Sequence, residues 1–208
     1  MSEWLETEYL RRREPLLRSR AALLVIDIQE RLVPVMPPPI AAQVIKNTNL
    51  LIGAAARLGV PIVVSQQYPR GLGSTVPEVA SALEAAQGTG ADVHVFDKVE
   101  FSAVAAPAFA QLPPTQKIGA LMAREQWIVC GMETHICVYQ TVRDLIGPAT
   151  AVHVATDAVC SRTKANWKIG VDLARSVGAL VSSAETVMFD LLKQAGTDEF
   201  KALSKAIK

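Results

Sequence analysis

The chain reads as short apolar runs, each followed by a longer stretch in which apolar residues recur at helical spacing. Ala21 to Ile28 (AALLVIDI) is almost continuously apolar and rich in branched residues. That pattern predicts a strand buried on both faces, as in a parallel sheet. Pro37–Pro39 introduces a helix over Ile40 to Leu58, with Val44, Ile45, Leu51, Ile52 and Ala55 on one face and Gly59 as its stop. Val60 to Ser65 (VPIVVS) predicts the second strand, and a polar loop from Gln66 to Pro77 follows it. Glu78 to Ala86 predicts a short helix, and Val93 to Phe96 a third strand with Asp97-Lys98 at its end. Phe101-Ser102 turns into an alanine-rich stretch. Lys117 to Glu125 predicts a further helix, and Trp127 to Cys130 the fourth strand.

Gly131 then opens a tight turn into a helix that starts near His135 and stops at Gly147-Pro148. Ala151 to Ala155 predicts the fifth strand, with Asp157 and Ser161 in the loop behind it. A helix over Asn166 to Val177 and a short sixth strand, Ala179 to Val181, come next. Helices near Glu185–Gln194 and Asp198–Ile207 close the chain. The alternation predicts an α/β fold of three αβα layers around a six-stranded, mostly parallel, doubly wound sheet. Residues 21–208 read as one domain, and residues 1–20 as an N-terminal helical extension packed on it.

Composition narrows the setting. At 208 residues one compact domain is expected. A hydrophobic fraction of 50% and a mean hydropathy of +0.24 are on the apolar side for a soluble monomer, which points to a homo-oligomer. The 21 basic and 20 acidic residues nearly cancel, so neither nucleic acid nor an anionic membrane is expected as the main partner. No apolar run approaches the ~20 residues that span a bilayer. The first twenty residues lack a secretory pattern. Their five arginines between Arg11 and Arg20 suggest a mitochondrial presequence, which Glu3, Glu6, Glu8 and Glu14 oppose, so the cytoplasm is the expected location. Cys130, Cys137 and Cys160 form no C-x-x-C pair and are odd in number, which fits a reducing compartment rather than a disulfide framework.

The candidate chemistry lies at three strand ends. Asp27, Lys98 and Cys137 follow the first, third and fourth apolar runs, and in a doubly wound sheet such ends converge on one crevice. Cys137 falls in the first turn of its helix, where free N–H groups and the helix dipole favour a thiolate. Lys98 as an ammonium adds to that effect, and Asp27 is placed to accept the thiol proton and return it to a leaving group. The thiol pKa is therefore expected below its free value. His135, two residues before Cys137, is the rival base. Cys130 in a strand and Cys160 in a loop read as structural.

Three motifs carry a resemblance: ALLVIDIQ at the first strand, DKxxFS at the third, and GMETHICV at the fourth. Together, and in this order, they resemble the isochorismatase-like cysteine hydrolase family over about Ala21 to Ile207. QQYPRGLGSTVPE, DAVCSR and SSAETVMFDLL look closest to its isochorismatase domain-containing branch. The resemblance implies Cys137 as nucleophile, Asp27 as acid/base and Lys98 as their charged partner. It also implies a cis peptide at Met132-Glu133 and an oxyanion hole made by the backbone N–H groups of Glu133 and Cys137. The implied reaction is attack on a small amide or related carbonyl, giving a thioester that water hydrolyses.

This chain departs from the nicotinamidase branch of that family. Gln66-Gln67-Tyr68 stands where that branch has an Asp-x-His metal site, and the whole chain has only three histidines. No catalytic metal and no cofactor are expected. Isochorismate itself needs no thioester chemistry, so Cys137 points away from a true isochorismatase. Gln29, Gln66, Tyr68 and Phe101 are the candidate pocket-lining residues. A catalytically silent scaffold on the same fold and an RNA-acting hydrolase are the competing readings.

Overall fold

The computed structural model describes residues 14–113 and 121–207. Its centre is β1 (Ala21–Ile26), six apolar residues buried on both faces. β1 pairs in parallel with β2 (Ile62–Gln67) on one side and with β4 (Gln126–Met132) on the other. β3 (Val93–Lys98) extends the sheet beyond β2, and β5 (Ala151–Cys160) and β6 (Leu180–Ser182) extend it beyond β4. The order is therefore β3-β2-β1-β4-β5-β6, and every ladder is parallel. The chain winds outward from β1 in one direction and from β4 in the other. Their shared boundary is the switch point at which open α/β sheets bind ligands.

Two apolar layers flank the sheet. One packs beneath α1 (Pro38–Leu58), with Val44, Leu51, Ile52 and Ala55 against β1 and β2 residues. α3 (Pro77–Gly88) follows the short α2 (Pro69–Leu72), and with the late helices α7 (Ala184–Leu192) and α8 (Asp198–Ala206) it shares that face. The other layer lies under α4 (Pro107–Ala110), α5 (Tyr139–Leu145) and α6 (Lys164–Ser176), where Phe109 stacks between Phe96 and Trp127. α1 stops at Gly59, whose φ of 70° closes the helix by donating to Ala55 and Ala56 carbonyls.

Several boundaries differ from the sequence reading. The expected N-terminal helix is absent over residues 14–20, which form coil and a turn, while residues 1–13 lie outside the described residues. Leu16 is buried there because its N–H reaches Asp190 (2.8 Å), and the Leu17 N–H reaches Gln126 (2.7 Å). β2 runs on through Gln66 and Gln67, so the expected long loop begins later and contains α2. Of the helix expected over Lys117–Glu125, the described part is one 3-10 turn at Leu121–Ala123; residues 117–120 lie outside the described residues. β5 absorbs Asp157 and Cys160, which the sequence reading assigned to a loop. No described helix is long and apolar enough to cross a membrane.

Candidate active site

Sheet register builds the site. Ile26 pairs with Ser65 on β2 and with Gly131 on β4, so Asp27, the next residue, emerges between the ends of both neighbours. Gln67 pairs with Lys98 on β3. Asp27, Ser65, Gln67 and Lys98 thus line the carboxyl edge of three adjacent strands. The chain leaves β1 sharply: Asp27 has φ of 53°, a left-handed conformation in which non-glycine residues are uncommon.

The turn after β4 supplies the thiol. Gly131 has φ of 118°, and a Cβ there would overlap the Ile26 carbonyl, so only glycine lets β4 pass β1 so closely. The Met132–Glu133 peptide is cis. Thr134–Val138 then forms a single π-helical turn rather than the start of an α-helix, with the Val138 N–H donating to the Glu133 carbonyl at 3.2 Å. Cys137 sits within this turn. The turn is pressed into place by α6, where a Cβ on Gly170 would lie 2.6 Å from the Thr134 carbonyl carbon.

These elements bring Asp27, Lys98 and Cys137 together. The Asp27 carboxylate is fully buried. One oxygen accepts from Lys98 Nζ at 2.7 Å and the other from the Ser65 hydroxyl at 2.7 Å. The Cys137 thiol faces this carboxylate closely enough for each group to act on the other's protonation. Lys98 Nζ donates further to Gln67 Oε1 at 2.6 Å and, more weakly, to the Glu100 and Phe101 carbonyls at 3.2 and 3.3 Å. An ammonium has three protons. The two short side-chain bonds take two of them, and the two distant carbonyls share the third.

The electrostatics correct one expectation. Burial pushes the Cys137 thiol up to about 12, and the facing Asp27 carboxylate adds to that rise against the opposing pull of Lys98. The sequence reading expected a lowered value. It fails first because the thiol is buried, then because it faces the Asp27 charge, and the opposing pull of Lys98, which is bonded to Asp27, does not outweigh them. The resting pair is therefore a neutral thiol beside a carboxylate. Burial also raises the Asp27 carboxyl above its ordinary range, although Lys98, Ser65 and Cys137 all pull it down. A carboxylate with raised proton affinity is a better acceptor for the thiol proton.

The other candidates are placed as follows. His135 Nδ1 lies 3.0 Å from the Ser161 hydroxyl, a bond that ties this ring to the end of β5. Gln29 is fully buried, and its amide is spent on backbone: it accepts from Gln67 N–H (2.7 Å) and donates to the Gln67 and Gly73 carbonyls (3.0 and 2.7 Å). It braces the pocket edge rather than lining the pocket. Gln66 accepts from Thr75 N–H and hydroxyl and donates to Asp97, so its polar atoms are also engaged. Tyr68 and Phe101 are the exposed apolar candidates, 53% and 55% exposed at the ends of β2 and β3. Glu133 accepts from the backbone N–H and Nε of Arg162 at 3.0 and 3.1 Å. Among the described residues no three His, Cys, Asp or Glu side chains cluster as a metal site.

Sequence reasoning missed Ser65 and Gln67. The signal was present: two residues apart at a strand end, they share a face, and that face borders Asp27.

Comparison with known proteins agrees with this fold. The isochorismatase domain family matches residues 21–186. The secreted isochorismatase effector Isc1 of Phytophthora sojae is 39% identical, covering 93% of this chain and 87% of that protein. Isochorismatase domain-containing protein 1 of Danio rerio is 33% identical over 88% of this chain, which spans 59% of that longer protein. Among solved structures, the MAR1 ribonuclease of Caenorhabditis elegans superposes with a TM-score of 0.80 at 29% identity, covering 93% of this chain and 92% of the other. With a family match over most of its length and the same αβα hydrolase fold, the chain belongs to the isochorismatase family.

Proposed function

We propose that the protein is a metal-independent cysteine hydrolase that cleaves a small amide or related carbonyl compound through a thioester on Cys137. The observation that carries this reading is the Asp27 carboxylate, bonded by Lys98 on one oxygen and facing the Cys137 thiol, whose protonation it influences. Asp27 takes the thiol proton as sulfur attacks the carbonyl carbon. The oxyanion forms against the backbone N–H groups of Glu133 and Cys137, donors aimed at charge that develops in the transition state. The C–N bond breaks, and Asp27 returns its proton to the departing amine. Water then attacks the thioester with Asp27 again as base, the C–S bond breaks, and the thiol is restored with release of the acid. The Lys98 bond to Asp27 favours the carboxylate form between these proton transfers.

The exposed apolar residues Tyr68, Val99 and Phe101 beside the site support a homo-oligomer that shields them, and the three free cysteines support a reducing, cytoplasmic setting. Incubation with a library of small amides, followed by mass spectrometry of Cys137, tests the chemistry. An acyl adduct on Cys137 that decays in water is expected. Turnover of an amide by a Cys137→Ala variant would overturn it.

The similarity to a protein named as a ribonuclease favours a second reading, hydrolysis of RNA. An Asp–Lys–Cys set suits a carbonyl better than a phosphodiester, and the net charge of +1 offers little phosphate affinity. RNA cleavage that disappears in Cys137→Ala would establish this reading over the first.

A further inference from the structure

A further arrangement beside the Asp27–Lys98–Cys137 cluster is a pair of glutamines linked through hydrogen bonds. Gln29 grips the backbone of Gln67 from both sides, accepting from its N–H and donating to its carbonyl. The Gln67 backbone is thereby fixed, and both ends of its buried side-chain amide are engaged. Its Nε2 donates to the Val99 carbonyl at 2.9 Å, which orients the amide and leaves Oε1 as the atom presented to Lys98 at 2.6 Å. That bond is the shortest Lys98 makes.

We infer that Gln67 is a positioning residue for the proposed reaction: its neutral amide oxygen holds the Lys98 ammonium on Asp27 and leaves Asp27 as the single base available to the Cys137 thiol. The inference rests on the hydrolase reading above and deepens it. Two physical consequences follow from a neutral acceptor at this place. First, Lys98 keeps its full charge for one carboxylate instead of dividing it between two, so Asp27 is the acidic side chain that is bonded to the ammonium and also faces the thiol. Second, the buried Asp27–Lys98 pair is neutral overall, which limits the desolvation cost of the site. Glu133, the other carboxylate acting on the thiol, is occupied by Arg162, and His135 is held by Ser161. Neither touches Lys98 in the described structure, so Gln67 and Asp27 alone provide its side-chain acceptors.

Two substitutions separate positioning from charge. Gln67→Met keeps the length and bulk of the side chain but removes the acceptor. Gln67→Glu keeps an oxygen for Lys98 but adds a second carboxylate. The readout is the pH dependence of Cys137 alkylation by iodoacetamide, mapped by mass spectrometry, which needs no knowledge of the substrate. Cys130 and Cys160 are fully buried and serve as internal controls. In the unmodified protein, alkylation rises as Asp27 loses its proton. Gln67→Glu is expected to retain most of the plateau rate and to move this rise upward by about one pH unit, since two neighbouring carboxylates bind a proton more tightly than one. Gln67→Met is expected to lower the plateau about tenfold or more, the scale on which a displaced general base loses rate. A purely structural glutamine would lower thermal stability in both variants without moving the pH profile, and that result overturns the inference.

The unmodified protein gives an independent check should a variant fail to fold. The Lys98 ammonium is expected as a slowly exchanging nitrogen resonance with cross-relaxation to the Gln67 amide protons, and a Lys98 signal that exchanges as fast as surface lysines overturns the inference. If Cys137 of the unmodified protein resists alkylation at every pH, the hydrolase reading itself fails. If Cys137 reacts and neither variant changes its profile, only the role given to Gln67 fails.

Discussion

Asp27 and Lys98 form a fully buried ion pair, and the two residues depend on each other unequally. Removing one member of such a pair leaves an uncompensated charge and costs about 3–5 kcal/mol. Lys98→Met should therefore destabilise the fold by that amount at pH 7. The loss should shrink in acid, because the stranded Asp27 carboxyl, already raised by burial, takes up a proton and ceases to be a charge. Urea denaturation at pH 7 and pH 5 checks this, and an equal loss at both would show that Asp27 was not the cause. Cys137→Ser is the contrasting case. It is near-isosteric and leaves the ion pair untouched, so folding stability should change by less than about 1 kcal/mol while the acyl adduct disappears. At this scale the meeting of Asp27, Lys98 and Cys137 was legible in the sequence, because each follows an apolar run and parallel strands end together. Their protonation was not. Whether Lys98 serves sulfur or carboxylate depends on which acceptor lies 2.7 Å away, and strand order alone carries no such distance.

The reactive turn depends on two glycines that act from different elements. Gly131 lets β4 cross β1, and Gly170 lets α6 press on the π-helical turn. Gly131→Ala combines a left-side φ with backbone overlap and should cost at least about 2 kcal/mol. Gly170 has no such φ constraint. Gly170→Ala should instead push α6 away from Thr134 and slow Cys137 alkylation by more than its modest effect on melting temperature would suggest. Comparing alkylation rate with melting temperature for the two variants tests this; a Gly170→Ala protein with normal alkylation would show that α6 does not position the turn. The strand cores and long helices could be read from periodicity, since buried parallel strands and α1 are nearly continuous signals. The π turn was not legible, because periodicity marks a helix without distinguishing the first turn's hydrogen bonds. β5 was underestimated for a related reason. Asp157 looked like a loop residue, yet it lies in the strand at a register shift and spends its carboxylate capping α7 through the Ala184 N–H at 2.8 Å.

Across the whole molecule, a histidine away from the Asp27–Lys98–Cys137 cluster also sets how stability responds to acid. His153 of β5 is 8% exposed, and its Nε2 has no hydrogen-bond partner among the described residues. Burial pushes its pKa down to about 4 from the ordinary 6.5, against a weaker upward pull from Asp190. Between these values the unfolded chain binds a proton that the folded protein refuses, so stability falls as pH falls through that window and levels off below it. At about 1.4 kcal/mol per pH unit the full loss is about 3 kcal/mol. Asp27 acts in the opposite sense: its raised folded-state value means the native protein binds a proton before the unfolded chain does, which opposes the loss as pH falls. His153→Leu removes the first contribution and keeps the second. Its stability should therefore decline less between pH 6.5 and pH 4 than that of the unmodified protein, with the gap widening toward pH 4. Urea midpoints measured across that interval test the assignment, and parallel curves for the two proteins would place the acid sensitivity elsewhere.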